Sequence, residues 1–138
     1  MTKVVDKPSI SAGLATKMVE AAVLKASELK VAQVVAVVDE GGNLKAFCRM
    51  DGASPVPIEI AQNKAFTALF GMPTGDFFDF IKGDASLLAG IPQVARVSAI
   101  GGGFPVMING SVVGAIGVSG GSIEADIACA KAGLDAAK

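Results

Sequence analysis

The 138 residues contain no histidine, no tryptophan and no tyrosine, and only two cysteines. Without histidine the chain lacks the commonest zinc and haem ligand, and the usual base of Ser-His and Cys-His catalysis. Cys48 and Cys129 are too few for a disulfide framework and have no metal-ligand spacing, so they read as buried, reduced thiols and no metal site is expected. Charge is scarce too: 18% of residues are Asp, Glu, Lys or Arg, and the net charge of -1 offers no basic field for a phosphate backbone. The twelve Lys and Arg are scattered rather than striped, which argues against nucleic acid as a partner. The opening MTKVVDKPSI has no apolar leader core, and the longest apolar run, around VVAVV, is too short to span a bilayer. A cytoplasmic protein without a membrane partner is expected.

What the chain has in excess is small and apolar: 51% hydrophobic residues and 17 glycines. Much of its surface must then be apolar, which suits contact with copies of itself as a homo-oligomer. The length fits one domain over residues 1–138.

Ser9 or Ser11 can cap a first helix whose apolar stripe comprises Leu14, Ala15, Met18, Val19, Ala22, Val23, Ala26 and Leu29, with Lys17, Glu20, Ser27 and Glu28 on the other side. QVVAVVDEGGNLKAFCRMDG reads as a β-hairpin around Glu40-Gly41-Gly42-Asn43, where glycine supplies the positive φ of a tight turn. Pro55 and Pro57 suit the start of a second helix that closes at Gly71 before Pro73. TGDFFDFIKGDASLLAGIP reads as one or two short helices capped by Thr74 and Asp84. From Arg96 the pattern is strand, glycine turn, strand, Asn109-Gly110 hairpin, strand, and a final helix begins near Ser122.

The last strand runs through Ser119-Gly120-Gly121 into that helix, a layout that invites a phosphate-loop reading. The residues refuse it: a P-loop needs Gly-Lys-Ser/Thr, and a dinucleotide fold needs a further parallel strand after the helix. Backbone N–H groups at Gly120, Gly121 and Ser122 can instead receive a ligand carboxylate or the side chain of Asp126 or Glu124. Strict alternation puts Val112, Ile116 and Val118 on one face and Val113, Ala115 and Gly117 on the other. The small-residue face admits a helix, a neighbouring subunit or a flat ligand.

VVDEGGNL, RMDGA, NKAFTALF, GGGFPVMINGSVVGAIGVSGG and the following Asp126 together resemble the GlcG/HbpS-like family over nearly the whole chain. Its members include a glycolate-operon protein, a secreted haem-binding protein and the C-terminal domain of PduO-type corrinoid adenosyltransferases. The resemblance implies a profilin-like α+β fold with an antiparallel sheet of about five strands flanked by helices. It also implies assembly into dimers or larger rings, and haem or corrinoid binding in some members. The missing histidine weakens haem ligation, leaving Met50, Met72, Met107, Cys48 and Cys129 as substitute ligands or plain core residues.

Arg49 and Asp51 leave the same face of the hairpin's second strand, Asp39 ends its first, and Lys64 sits at the border of the second helix's apolar stripe. These four form either a salt-bridged brace or a site in which Arg49 and Lys64 hold a ligand carboxylate beside Asp39 or Asp51. Gly101, Gly102 and Gly103 mark a close approach of ligand or subunit. The leading expectation is a small-molecule-binding protein for haem, a corrinoid or a small carboxylate, accessory to a catabolic pathway. The alternatives are a small isomerase, tautomerase or lyase acting on a carboxylate, and an oligomeric assembly module.

Overall fold

The computed structural model describes residues 1–138. Ser11 starts α1 (Ala12–Glu28), its hydroxyl accepting from the Leu14 N–H, and the expected stripe turns inward through Ala15, Met18, Val19, Ala22 and Ala26. The valine run forms β1 (Val34–Asp39), which pairs with β2 (Leu44–Arg49) across the Glu40–Asn43 turn. Gly42 takes φ +81° there, and the Asp39 carboxylate accepts from the N–H groups of Gly41 and Asn43. Pro57 opens α2 (Pro57–Ala68), and α3 (Thr74–Lys82) and α4 (Ala85–Gly90) follow, the latter continuing into a 3-10 turn at Ile91–Gln93. β3 (Gly103–Ile108) and β4 (Ser111–Ser119) join through Asn109-Gly110, both at positive φ as a tight hairpin turn requires. The Ser122 hydroxyl accepts from Ala125 N–H and starts α5 (Ile123–Asp135).

The sheet is antiparallel throughout, in the order β2-β1-β4-β3. Val35 and Val37 of β1 face a core shared with α1 and α5, while Val34, Ala36 and Val38 face the opposite way, toward α2. The molecule is thus a sheet between two helical layers, α1 with α5 on one face and α2 on the other.

Three expectations are corrected. The sheet has four strands rather than about five, because Val97–Ile100 makes no strand. The backbone of that segment bonds helix side chains instead: Ser98 N–H donates to the Thr67 hydroxyl, and the Ile100 carbonyl accepts from the Thr74 hydroxyl. Thr74 is therefore no cap; Pro73 takes the cap position, and the Thr74 hydroxyl also accepts from Gly103 N–H. Strict alternation fails in β4, where the pairing jumps from Met107 with Val112 to Val106 with Gly114. The extra residue, Val113, turns into the same core as Ile116 and Val118.

Candidate functional site

Two of the glycines expected to admit a ligand or subunit, Gly103 and Gly117, admit parts of the chain itself. A Cβ on Gly117 would collide with the Ala61 carbonyl, and one on Gly103 with the Lys64 carbonyl, so α2 lies directly against β4 and the start of β3. Gly102, at φ +126°, clears space for one side chain: its Cβ would lie 3.0 Å from Lys64 Nζ and 2.7 Å from the Val118 carbonyl oxygen. Lys64 is 1% exposed. Its ammonium donates to the Val118 carbonyl at 2.9 Å and to Asp126 Oδ2 at 2.9 Å. Asp126 Oδ1 accepts from Gly121 N–H at 3.0 Å, so the carboxylate is held from both sides. This pair ties the α2 layer to α5 past the glycine end of β3. Of the two partners open to the Gly120-Gly121-Ser122 donors, Asp126 takes Gly121, and Glu124 stays exposed.

The four-residue polar cluster does not assemble. Lys64 pairs with Asp126 and with neither Asp39 nor Asp51. Asp39 is spent on its own turn. Arg49 is exposed and donates to the Ala53 carbonyl at 3.1 Å, and exposed Asp51 joins no ion pair. Ser119 is buried at the end of β4 opposite Val34, with Gly120 and Gly121 exposed beside it.

A concave surface lies on the outer side of the glycine loop. Between α3, the Val97–Gly101 segment and the start of α5 is a hollow of about 350 Å³, walled by Phe78, Ile100, Ile123 and Ile127 and floored by Gly75, Ala99 and Gly101. It adjoins a second hollow of about 290 Å³ toward Ile91 and Leu88, and a third of about 280 Å³ that Asp76, Gly102 and Lys131 border. Apolar walls with a few charges at one rim are the usual make-up of a small-molecule site. Of the residues singled out in the sequence, Gly101 and Gly102 line this cleft. Phe78, Ile100, Ile123, Ile127 and Lys131 were missed. One signal was available: Phe77 and Ile81 make the buried stripe of α3, so Phe78 and Phe80 fall outside it and call for a second apolar partner.

None of the substitute haem ligands reaches the cleft. Met50 Sδ accepts from Gln33 N–H, Met107 is exposed on β3, and Cys129 is buried beside the Gln33 amide. Burial pushes the Cys129 thiol above its ordinary 9.0, and the nearby Asp126 carboxylate pushes the same way. Asp84, the α4 cap, is held below its usual 3.8 by the Ser86 hydroxyl first and then by the Leu87 and Ser86 N–H groups.

Residues 10–135 match the sequence profile of the family described as haem degrading protein HbpS-like. A 15.0 kDa protein of Citrobacter freundii, from the dhaT-dhaS intergenic region, is 39% identical over 137 residues, covering 98% of this chain and 96% of that protein. The crystal structure of Klebsiella pneumoniae protein ORFY superposes with a TM-score of 0.90 at 35% identity, covering 99% of this chain and 96% of that one. A complex of PduOC with haem superposes at 0.85 with 33% identity, covering 93% and 94%.

Proposed function

Since the chain belongs to the HbpS-like family of haem-degrading proteins, we propose that it binds a flat, largely apolar small molecule of the tetrapyrrole class in the cleft between α3, the Val97–Gly101 segment and α5. The observation that carries the reading is the hollow of about 350 Å³ with Phe78, Ile100, Ile123 and Ile127 as its walls. Half-exposed apolar side chains around a concave space gain roughly 25 cal/mol for each Å² a ligand covers. Lys131, exposed and in no ion pair, offers its ammonium to a ligand carboxylate at the rim. That PduOC was solved as a haem complex supports the same ligand class.

The residues fit the faces and the acidic edge of such a macrocycle. They do not fit its iron, because no imidazole, thiol or thioether lines the cleft. The reading is therefore binding by contact and charge, without metal ligation by this chain. The enzymatic alternative drew on Arg49, Asp51 and Lys64 acting together, and no observation here favours it. Homo-oligomerisation belongs to the proposal as well, supported by Phe80 and Val94, which remain exposed beyond the cleft. So does a cytoplasmic location; no helix is long and apolar enough to cross a membrane.

Titration of the protein into metal-free protoporphyrin, read by porphyrin fluorescence, tests the proposal. Metal-free porphyrin and haemin should bind with similar affinity, and Ile100→Asp should weaken both about tenfold or more while the melting temperature holds. Haemin binding far tighter than the metal-free ring, with a low-spin spectrum, would overturn it.

A further inference from the structure

A second hollow, of about 340 Å³, lies where the β1–β2 turn meets the C-terminal end of α2 and the buried side of α3. Phe66, Leu69, Phe70, Phe77 and Val97 supply apolar walls, and Glu40 supplies one carboxylate. Glu40 is unusual in the chain. One of its oxygens is buried without any hydrogen-bond partner, and none of the four ion pairs uses it. Lys7 lines a neighbouring hollow that shares Glu40 and Leu69, and it forms no ion pair with Glu40. The cavity's other polar side chain is already engaged: the Thr67 hydroxyl donates to the Asn63 carbonyl and accepts from Ser98 N–H.

The aromatic wall is held in place. Arg96, at φ +69°, sets its guanidinium 3.9 Å from the Phe66 ring centroid and donates to the Gly42 carbonyl, which locks Phe66 against the turn that carries Glu40. Phe70 leans on Phe77 at 5.6 Å between centroids, and is 69% exposed at the mouth. Glu40, in no ion pair, leaves a negative charge at the hollow unanswered, and its aromatic walls favour an apolar body. One molecule that joins a cation to an apolar body meets both.

We propose that this hollow binds an organic ammonium ligand with an apolar body, the ammonium on Glu40 and the body against Phe66, Phe70 and Phe77. The site shares no wall with the hollow of about 350 Å³ and touches the tetrapyrrole cleft only at Val97, so either can fail without the other. A neutral alcohol of the same shape would leave the charge of Glu40 unanswered, and a carboxylate would be repelled by it.

The probe is 2-phenylethylammonium, titrated into the full ¹⁵N-labelled chain while backbone amide shifts are followed, with 2-phenylethanol and phenylacetate as controls. Saturable shifts at Gly41, Phe70 and Val97 are expected with the ammonium, and Glu40→Gln should weaken it about tenfold while leaving the alcohol unchanged. Phe70→Ala, at an exposed position, should weaken the ammonium too and serves if Glu40→Gln fails to fold. The proposal is overturned if the alcohol binds the native chain as tightly as the ammonium, if Glu40→Gln or Phe70→Ala binds the ammonium undiminished, or if no shift saturates. It is equally overturned if those amides shift on dilution alone, since a second copy of the chain would then be the occupant.

Discussion

Lys64→Met keeps a side chain of nearly the same length and removes its charge, so it isolates what the buried ion pair contributes. In the native chain the two side chains are 2% and 4% exposed with Nζ and Oδ2 2.9 Å apart. After the change Asp126 keeps one hydrogen bond, from Gly121 N–H, and no counter-charge. The Val118 carbonyl loses its side-chain donor at the same time. Removing one partner of a buried pair costs about 3 to 5 kcal/mol, chiefly because the remaining charge stays out of water. With an unfolding entropy of about 0.3 kcal/mol/K for 138 residues, that loss lowers the melting temperature by roughly 10 to 17 °C. Asp126→Leu should cost nearly as much, since it leaves the Lys64 ammonium buried without its counter-charge. The double change Lys64→Met with Asp126→Leu should recover most of the loss, because it leaves no unpaired charge. Urea melts and calorimetry on the three variants give the comparison. A single-variant loss below about 1 kcal/mol, or a double variant no better than the sum of the singles, would refute the pair's assigned role.

Gly102→Ala should be about as damaging, since the new Cβ at φ +126° meets the Val118 carbonyl oxygen at 2.7 Å and Lys64 Nζ at 3.0 Å; a melt unchanged within a few degrees would contradict the packing described. Arg49→Met should change stability by less than about 1 kcal/mol, because an exposed guanidinium loses one hydrogen bond to Ala53, and denaturant titration reads it directly. Cys129 supplies a pH dependence: its folded value is raised above 9.0, so the stability tied to the neutral thiol is complete below that pH and is lost as pH rises through the folded value. The stability gap between the native chain and Cys129→Ala should therefore shrink as pH rises past 9.0, and a constant gap would remove Cys129 as its source. Asp84 has the opposite sign: its folded value is depressed below 3.8, so its support of α4 is complete above that pH and fades as pH falls through the folded value. Asp84→Asn should flatten that acid limb in amide exchange of the α4 residues.

The elements governed by neighbours in sequence were legible from it. Ser11 and Ser122 cap their helices, the Glu40–Asn43 and Asn109-Gly110 turns close their hairpins, and Ala15, Met18, Ala22 and Ala26 turn inward. Each depends on groups within a turn or two of chain, where spacing and φ preference act directly. The family resemblance, too, rested on such short motifs in order. Lys64 was legible as a charge at an apolar border, and its partner was not: Asp126 lies 62 residues away, and Asp39 and Asp51 offered the same charge nearer in sequence. Val113 changed faces because a bulge depends on the register of β3 with β4, which a single strand's alternation does not carry. Val97–Ile100 has strand-like residues, yet Thr67 and Thr74 take its backbone groups before any strand can. The apolar cleft and the unpartnered Glu40 follow the same rule. A concave surface and an unsatisfied carboxylate arise where α3, the Val97–Gly101 segment, α5 and the β1–β2 turn stop short of filling space. That remainder is set by how whole layers pack against each other rather than by any local stretch of chain.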